Sequence, residues 1–311
     1  MSLHVATTAR LHLGFFDLGA GPGRRFGSLG LALDRPATRV SIAFANHSIA
    51  EGEESERSLR YLTALENGLG LPHRHALTVA EAIPAHAGLG SGTQLALAIG
   101  AALRARHGLA PDPRRDAALL GRGARSGIGI ALFQAGGLAV DGGRGSRNAP
   151  PPLLARLSVP EDWRVILVLD RAGEGLSGTK EVAVFATLPA MAASVSGRLC
   201  RLALMAALPA AAEDDLPAFG AAISEMQAIL GDYFAPAQGG RFTSRAVAAA
   251  LARLAEAGAV GIGQSSWGPS GFAFTRGEAD AARLAARAAA PGLPVLICRA
   301  RNHAALFPTA A

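Results

Sequence analysis

Six residues, Gly88-Leu89-Gly90-Ser91-Gly92-Thr93, stand between a strand-like run, Ala76 to Ala82, and an apolar segment without proline, Gln94 to His107. Glycine at this density lets a backbone turn sharply and come close to a ligand or another segment of chain. A helix that starts directly afterwards leaves amide donors unpaired and carries partial positive charge at its first turn. Strand, glycine loop and helix together therefore make a unit suited to an anion. An ordinary tight turn satisfies the same spacing, so the rest of the chain decides between the two.

With 311 residues, half of them hydrophobic and 17% charged, the chain has material for a large core or two intimate lobes. The elements expected are strands at Leu3 to Ala9, Leu29 to Leu33, Thr38 to Phe44, Arg164 to Leu169, Ala259 to Gly263, Gly271 to Phe274 and Val295 to Cys298. Helices are expected over Ser55 to Leu69, Asp112 to Leu120, Thr179 to Leu188, Met191 to Leu208, Leu216 to Leu230, Ser244 to Ala257 and Glu278 to Ala289. The apolar runs Ile128 to Phe133 and Gly137 to Val140 flank Gly136 and read as a hairpin. Pro150-Pro151-Pro152 and Pro160 suggest a boundary, giving lobes 1–158 and 159–311. Mixed strands and helices without regular alternation indicate an α+β protein.

The balance is basic, formally +6, and Lys180 is its single lysine. Arginine suits phosphate and carboxylate recognition. No basic run is interleaved with aromatic residues, so a nucleic-acid partner is not expected. The Met1 to Arg10 start has no apolar stretch behind a basic one, and no apolar run approaches the ~18 residues of a membrane span. A cytoplasmic location without membrane association is the expectation. Cys200 and Cys298 form no motif and read as packing residues. His73 and His75 share a strand face and read as a surface pair.

Several catalytic signatures are excluded directly. Lys180 follows Thr179, so no Walker A exists, and neither HExxH nor GxSxG occurs. A GxGxxG does occur, at Gly173 to Gly178, but no second strand ending in an acidic residue follows it.

Pro84, the Gly88 to Thr93 loop and the helix behind it resemble the phosphate-binding motif of the GHMP kinase superfamily. The resemblance extends to Ala9-Arg10-Leu11-His12-Leu13, to Arg125-Ser126-Gly127-Ile128-Gly129, and to Gly261 through Gly268. It implies a two-lobed GHMP-kinase-like fold with the active site between the lobes. The sequence departs from the kinases where Ile128 follows Ser126-Gly127 in place of an aspartate, and where Gln264-Ser265-Ser266-Trp267 interrupts the C-terminal glycines. These departures are similar to a non-kinase branch, the β-ribofuranosylaminobenzene 5'-phosphate synthases. Arg10-Leu11-His12 with Asp17, Gly136-Gly137, Val140 to Gly143, Gly175 to Gly178, and Gly263 to Gly268 carry that likeness.

The branch implies condensation of 4-aminobenzoate with phosphoribosyl pyrophosphate, with release of CO2 and pyrophosphate, in tetrahydromethanopterin biosynthesis. Gly88, Leu89, Gly90, Ser91, Gly92 and Thr93 are then expected to hold pyrophosphate, with Mg2+ sharing the charge. Arg10, His12, Asp17 and Lys180 are the expected catalytic set, with Asp17 also the expected metal ligand. Arg125, Ser126, Gly127, Gln264, Ser265 and Ser266 are expected to contact phosphate and ribose. Trp267 would stack on the aryl acid or fill core, with core packing favoured. Two alternatives remain at this point. One is an ATP-dependent GHMP small-molecule kinase in which Asp141 replaces the missing aspartate, and the other is a non-catalytic relative. Alanine-rich Met191 to Leu208 offers a homodimer surface.

Overall fold

A computed structural model describes residues 2–19, 23–146, 149–173, 175 and 178–305. Strand β1 (Leu3–Asp17) and strand β2 (Phe26–Ala45) form a long antiparallel hairpin, from Leu3 opposite Ile42 to Asp17 opposite Phe26. Strand β2 absorbs both strands expected between residues 29 and 44. Its far half pairs with β4 (Arg74–Glu81) and its near half with β5 (Leu138–Asp141). Edge strands β3 (Ile49–Gly52) and β6 (Leu153–Leu157), neither expected, complete the order β3-β4-β2-β5-β6.

Helix α1 (Ser55–Gly68) and helix α2 (Ser91–Arg106) pack on this sheet. Leu95 through Gly100 are all buried, because α2 is apolar around its whole circumference and is covered on every side. Helix α3 (Pro113–Leu119) crosses it closely: a Cβ on Gly100 would lie 2.7 Å from the Asp116 carboxylate. Arg104 closes this contact with a forked pair to Asp116, both side chains buried.

The segment expected as a hairpin is corrected: Ile128–Ala135 is a helix, α4, followed by β5. Ile128, Ala131 and Leu132 pack on Ala32 and Ala139, while Ile130 and Phe133 pack on Leu97. Burial on both faces favours a helix here, and Gly136 ends it at φ 61.

The second sheet, β10-β7-β9-β8, joins β7 (Trp163–Val168), β8 (Val260–Gln264), β9 (Gly271–Arg276) and β10 (Val295–Cys298). Helix α5 (Gly178–Thr187) precedes α6 (Ala193–Leu202), which runs through a π-helical turn, Ala203–Ala207, into α7 (Leu208–Ala212). Helix α8 (Leu216–Gln238) follows, then α9 (Arg245–Glu256) and α10 (Glu278–Ala288). Strand β7 is apolar at nearly every position because both of its faces are covered. Val165 and Leu167 join the inter-sheet core with Leu199, Phe219 and Met226, whereas Ile166 and Val168 face α9 and α10.

Among the described residues one helical run, Ala193–Ala212, is long and apolar enough by length and composition to cross a bilayer. Leu199, Leu202, Ala203 and Ala207 on it belong to the inter-sheet core. After β10 the chain crosses back: Arg301 N–H donates to Ala32, Asp34 N–H to Arg299, and Gly137 N–H to Arg301.

The expected surface pair of histidines is also corrected. His75 is fully buried, with Nδ1 2.9 Å from Glu66 Oε1 and Nε2 3.0 Å from His107 Nε2, while His73 stays exposed. Replacing Asp116 by Ala leaves Arg104 without its carboxylate inside the α2–α3 contact. We expect a loss of about 3 kcal/mol in urea unfolding; a loss below about 1 kcal/mol would mean the pair is solvated.

Candidate active site

The turn after β4 is anchored by Ile83, whose N–H donates to Thr38 Oγ1. Gly88 follows at φ 74, and a Cβ there would lie 2.2 Å from the Ser265 carbonyl oxygen. Only glycine allows the two loops so close. The Gly88 carbonyl accepts from Arg10 Nη1 at 2.6 Å and from Ser265 Oγ at 2.8 Å. Ser265 Oγ in turn accepts from His12 N–H, and Ser266 N–H donates to the His12 carbonyl. Gly175 adds a third strand of contact, donating to the His86 carbonyl. A Cβ on Gly175 would meet the Gly268 carbonyl oxygen at 2.0 Å. Gly175 of the GxGxxG thus packs at the lobe junction; Glu174, Leu176 and Ser177 lie outside the described residues.

These loops border a cleft of about 630 Å3. Gly90, at φ 82, starts α2 without a side-chain cap, so the first-turn amides at Ser91 and Gly92 have no acceptor supplied by a capping residue. The cleft is also lined by Arg10, Arg57, Arg122 and Arg125, against one carboxylate, Glu181, among the described residues. Burial pulls the Arg10 pKa down to about 10, opposed by the nearby Glu181 charge, so it remains a cation at neutral pH. His12 is pushed down to about 3 by burial and by Arg10, and is neutral. Its Nε2 is buried with no hydrogen-bond partner. Burial raises the Glu181 pKa, opposed by Arg125 at 2.5 Å and by the Trp267 indole N–H at 3.2 Å.

Of the residues expected from sequence, Arg10, His12, Gly88, Gly90, Ser91, Gly92, Thr93, Arg125, Ser126 and Ser266 line this cleft. Leu89, Gly127 and Ser265 support it from below: Leu89 accepts from Arg10 N–H, and Gly127 N–H donates to Asp141. Gln264 lines an adjoining recess with Trp267. Asp17 stands apart at the end of β1, where Oδ1 accepts from Gly19 N–H and Ser196 Oγ. Lys180 sits in the first turn of α5, next to Glu181; its side chain lies outside the described residues.

Asp141 is buried behind Ser126 and accepts from Ser28 Oγ, Ser126 Oγ, Gly127 N–H and Gly143 N–H. Burial raises its pKa against those donors. It fixes the start of α4 and does not line the cleft, where a kinase base would have to stand. Arg57, His86, Arg122 and Glu181 were not anticipated; nothing in their local sequence separates them from ordinary helix and loop residues.

No group of three or more metal-ligating side chains occurs among the described residues. With Asp17 outside the cleft and Glu181 engaged by Arg125 and Trp267, the described side chains do not fit a resident Mg2+.

The chain matches the family models for the GHMP kinases N terminal domain over residues 57–137 and GHMP kinases C terminal over residues 207–292. It is 32% identical to the beta-ribofuranosylphenol 5'-phosphate synthase of Methanothermobacter thermautotrophicus, over 99% of both chains. The protein of the same name from Archaeoglobus fulgidus is 35% identical over 72% of this chain and 75% of its own length. Among solved structures, mevalonate diphosphate decarboxylase from Enterococcus faecalis superposes with TM-score 0.68, at 16% identity and 99% coverage of each chain. Homoserine kinase from Cytophaga hutchinsonii superposes at 0.65, with 16% identity, covering 98% of this chain and 96% of that one. At such identities the solved structures establish the fold alone.

The neutral His12 fixes a pH dependence. The unfolded chain protonates this ring near 6.5 and the folded chain near 3. The unfolded state therefore binds more protons between those values, and stability falls as pH drops through that window. His12→Gln should show a flatter loss of stability from pH 6.5 towards 3 than the wild type; parallel curves would mean the ring is solvated.

Proposed function

The chain belongs to the beta-ribofuranosylphenol 5'-phosphate synthase family, and from that premise we propose that it joins an aryl acid to phosphoribosyl pyrophosphate. It is an enzyme of the pentosyltransferase type. The observation that carries the assignment is the junction itself: an uncapped helix start and four arginines converge on one cleft in which a single carboxylate is described. This suits a substrate with phosphate at both ends.

In the reaction the bond from the sugar C1' to pyrophosphate breaks, and pyrophosphate leaves with the electron pair. The ring carbon bearing the carboxylate attacks C1' with its π electrons. The bond to the carboxylate then breaks, CO2 departs, and its electron pair restores the aromatic ring. No proton has to be added or removed, which agrees with a cleft whose buried His12 is neutral. The α2 amides and Arg10 stabilise the charge growing on pyrophosphate. Arg122 and Arg125 hold the 5'-phosphate, and Glu181 faces the cationic sugar. Mg2+ would arrive with the substrate's pyrophosphate and supply charge neutralisation to the leaving group; Asp17, outside the cleft, would not hold it.

The relatives' name specifies a phenol, which calls for a hydroxyl on the aryl acid; we place it para, where 4-aminobenzoate carries its amine. A small-molecule enzyme of this type works in the cytoplasm. Exposed Leu204 and Met205 on the α6–α7 run are where we place a homodimer contact.

Carboxyl-labelled 4-hydroxybenzoate and 4-aminobenzoate, each with Mg2+ and phosphoribosyl pyrophosphate, test the proposal. Labelled CO2 released only when both substrates are present is the expected result. Arg10→Lys, which keeps the charge and loses the fork, should lower kcat/KM about a hundredfold. ADP formation from ATP without CO2 release would return the chain to the kinases.

A further inference from the structure

The four arginines of the cleft are held in two different ways. Arg57 pairs with Glu54 at 3.3 Å and Arg125 with Glu181 at 2.5 Å, so a carboxylate already offsets the charge of each. Arg10 and Arg122 are held by neutral oxygens: Arg10 Nη1 donates to the Gly88 carbonyl and Arg122 Nη2 to the Tyr61 hydroxyl. Among the described residues neither of these two forms an ion pair.

The same two arginines bracket the start of α2. A Cβ on Gly90 would lie 3.1 Å from Arg10 Cζ and 3.2 Å from its Nε. A Cβ on Gly92 would lie 3.5 Å from Arg122 Cζ, Nη1 and Nη2 alike, which places that guanidinium face-on to the glycine. Its N–H edge is therefore left for the cleft that it lines. Positions two apart at a helix start lie on different sides of it. Tyr61 explains how Arg122 keeps its place. It projects from α1, and its ring is buried in the core that α1 shares with Leu95 and Ile99 of α2. Arg122 Cζ lies 5.3 Å from the centre of that ring. The packed ring fixes the hydroxyl, and a phenol orients a guanidinium without cancelling its charge as a carboxylate would.

We propose that Tyr61 is a positioning residue that holds Arg122 as the seat of the 5'-phosphate, across the α2 start from the pyrophosphate seat at Arg10. The inference rests on the function proposed above, which supplies a substrate phosphorylated at both ends. Each end meets an arginine whose charge no carboxylate has offset, and the first-turn amides of α2 lie between them. A ligand with one phosphorylated end engages one arginine, whereas phosphoribosyl pyrophosphate engages both. The pair thus selects a pentose phosphorylated at C1' and at C5'. Tyr61 itself stands behind the cleft wall and acts through Arg122.

Calorimetric titration of the whole enzyme with ribose 5-phosphate and with inorganic pyrophosphate, each with Mg2+, tests the assignment without turnover. In Tyr61→Phe, which keeps the buried ring, we expect the Kd of ribose 5-phosphate to rise about tenfold and that of pyrophosphate to stay within about twofold. In the CO2-release assay, KM for phosphoribosyl pyrophosphate should rise about tenfold, while kcat and KM for 4-hydroxybenzoate stay within about twofold. The effect of Tyr61→Phe should vanish in an Arg122→Gln background, because the hydroxyl acts through that guanidinium. A hydroxyl that merely supported α1 would cost the same in both backgrounds. Equal weakening of both ligands, no change in either, or an effect that survives in Arg122→Gln overturns the assignment. A wild type that binds ribose 5-phosphate in a Tyr61-dependent way, yet releases no CO2 with either aryl acid, overturns the proposed reaction and leaves the role of Tyr61 standing.

Discussion

The carbonyl oxygen of Gly88 accepts two hydrogen bonds, one from Arg10 in its own lobe and one from Ser265 in the other. Around that atom the site is assembled. The Arg10 bond fixes the guanidinium against the start of α2, and the Ser265 bond presses the C-terminal loop onto β1. The contact with the Ser265 loop has no room for a side chain on Gly88. The glycine density that opens the sequence argument is therefore satisfied twice, by the close approach of two backbones and by the exposed start of a helix. Both follow from the absence of a Cβ.

Charge in the cleft follows from this closure. Burial would neutralise an acid or a histidine, and it does so to His12, but arginine keeps its proton even with its pKa lowered to about 10. A composition with one lysine and many arginines is thus compatible with a buried cationic site. Glu181 shields Arg125 within it. The GHMP fold elsewhere includes kinases and a decarboxylase by name. Here the aspartate expected of a kinase is absent after Ser126-Gly127, and Asp141, the nearest substitute, spends its acceptor capacity on four structural donors.

Much of this was legible in the sequence because it depended on backbone geometry. Glycine loops, helix starts and strand alternation are local properties, so the Gly88 loop, α2, β7 and the Gly263 to Gly268 turn stood out. What failed to show depended on distant partners. The run from Ile128 looked like a hairpin because its glycines suggested turns, yet α2 and β2 cover it on both faces and a helix wins. His75 looked superficial because nothing local announces Glu66 and His107 as its partners. Glu181 and Arg122 enter the cleft only through packing of α5 and of the loop after α3. Asp17 shared the strand of Arg10 and His12, but the pairing of β1 with β2 carries it to the far end, where Gly19 and Ser196 occupy its oxygen.

Calorimetric titration of phosphoribosyl pyrophosphate into the wild type and Gly88→Ala tests the central claim most directly. A methyl group on Gly88 would lie 2.2 Å from the Ser265 carbonyl oxygen and would have to part the two loops. The account predicts binding to the wild type and affinity at least about tenfold weaker in the variant. A Gly88→Ala protein that melts like the wild type and binds phosphoribosyl pyrophosphate equally well would contradict it.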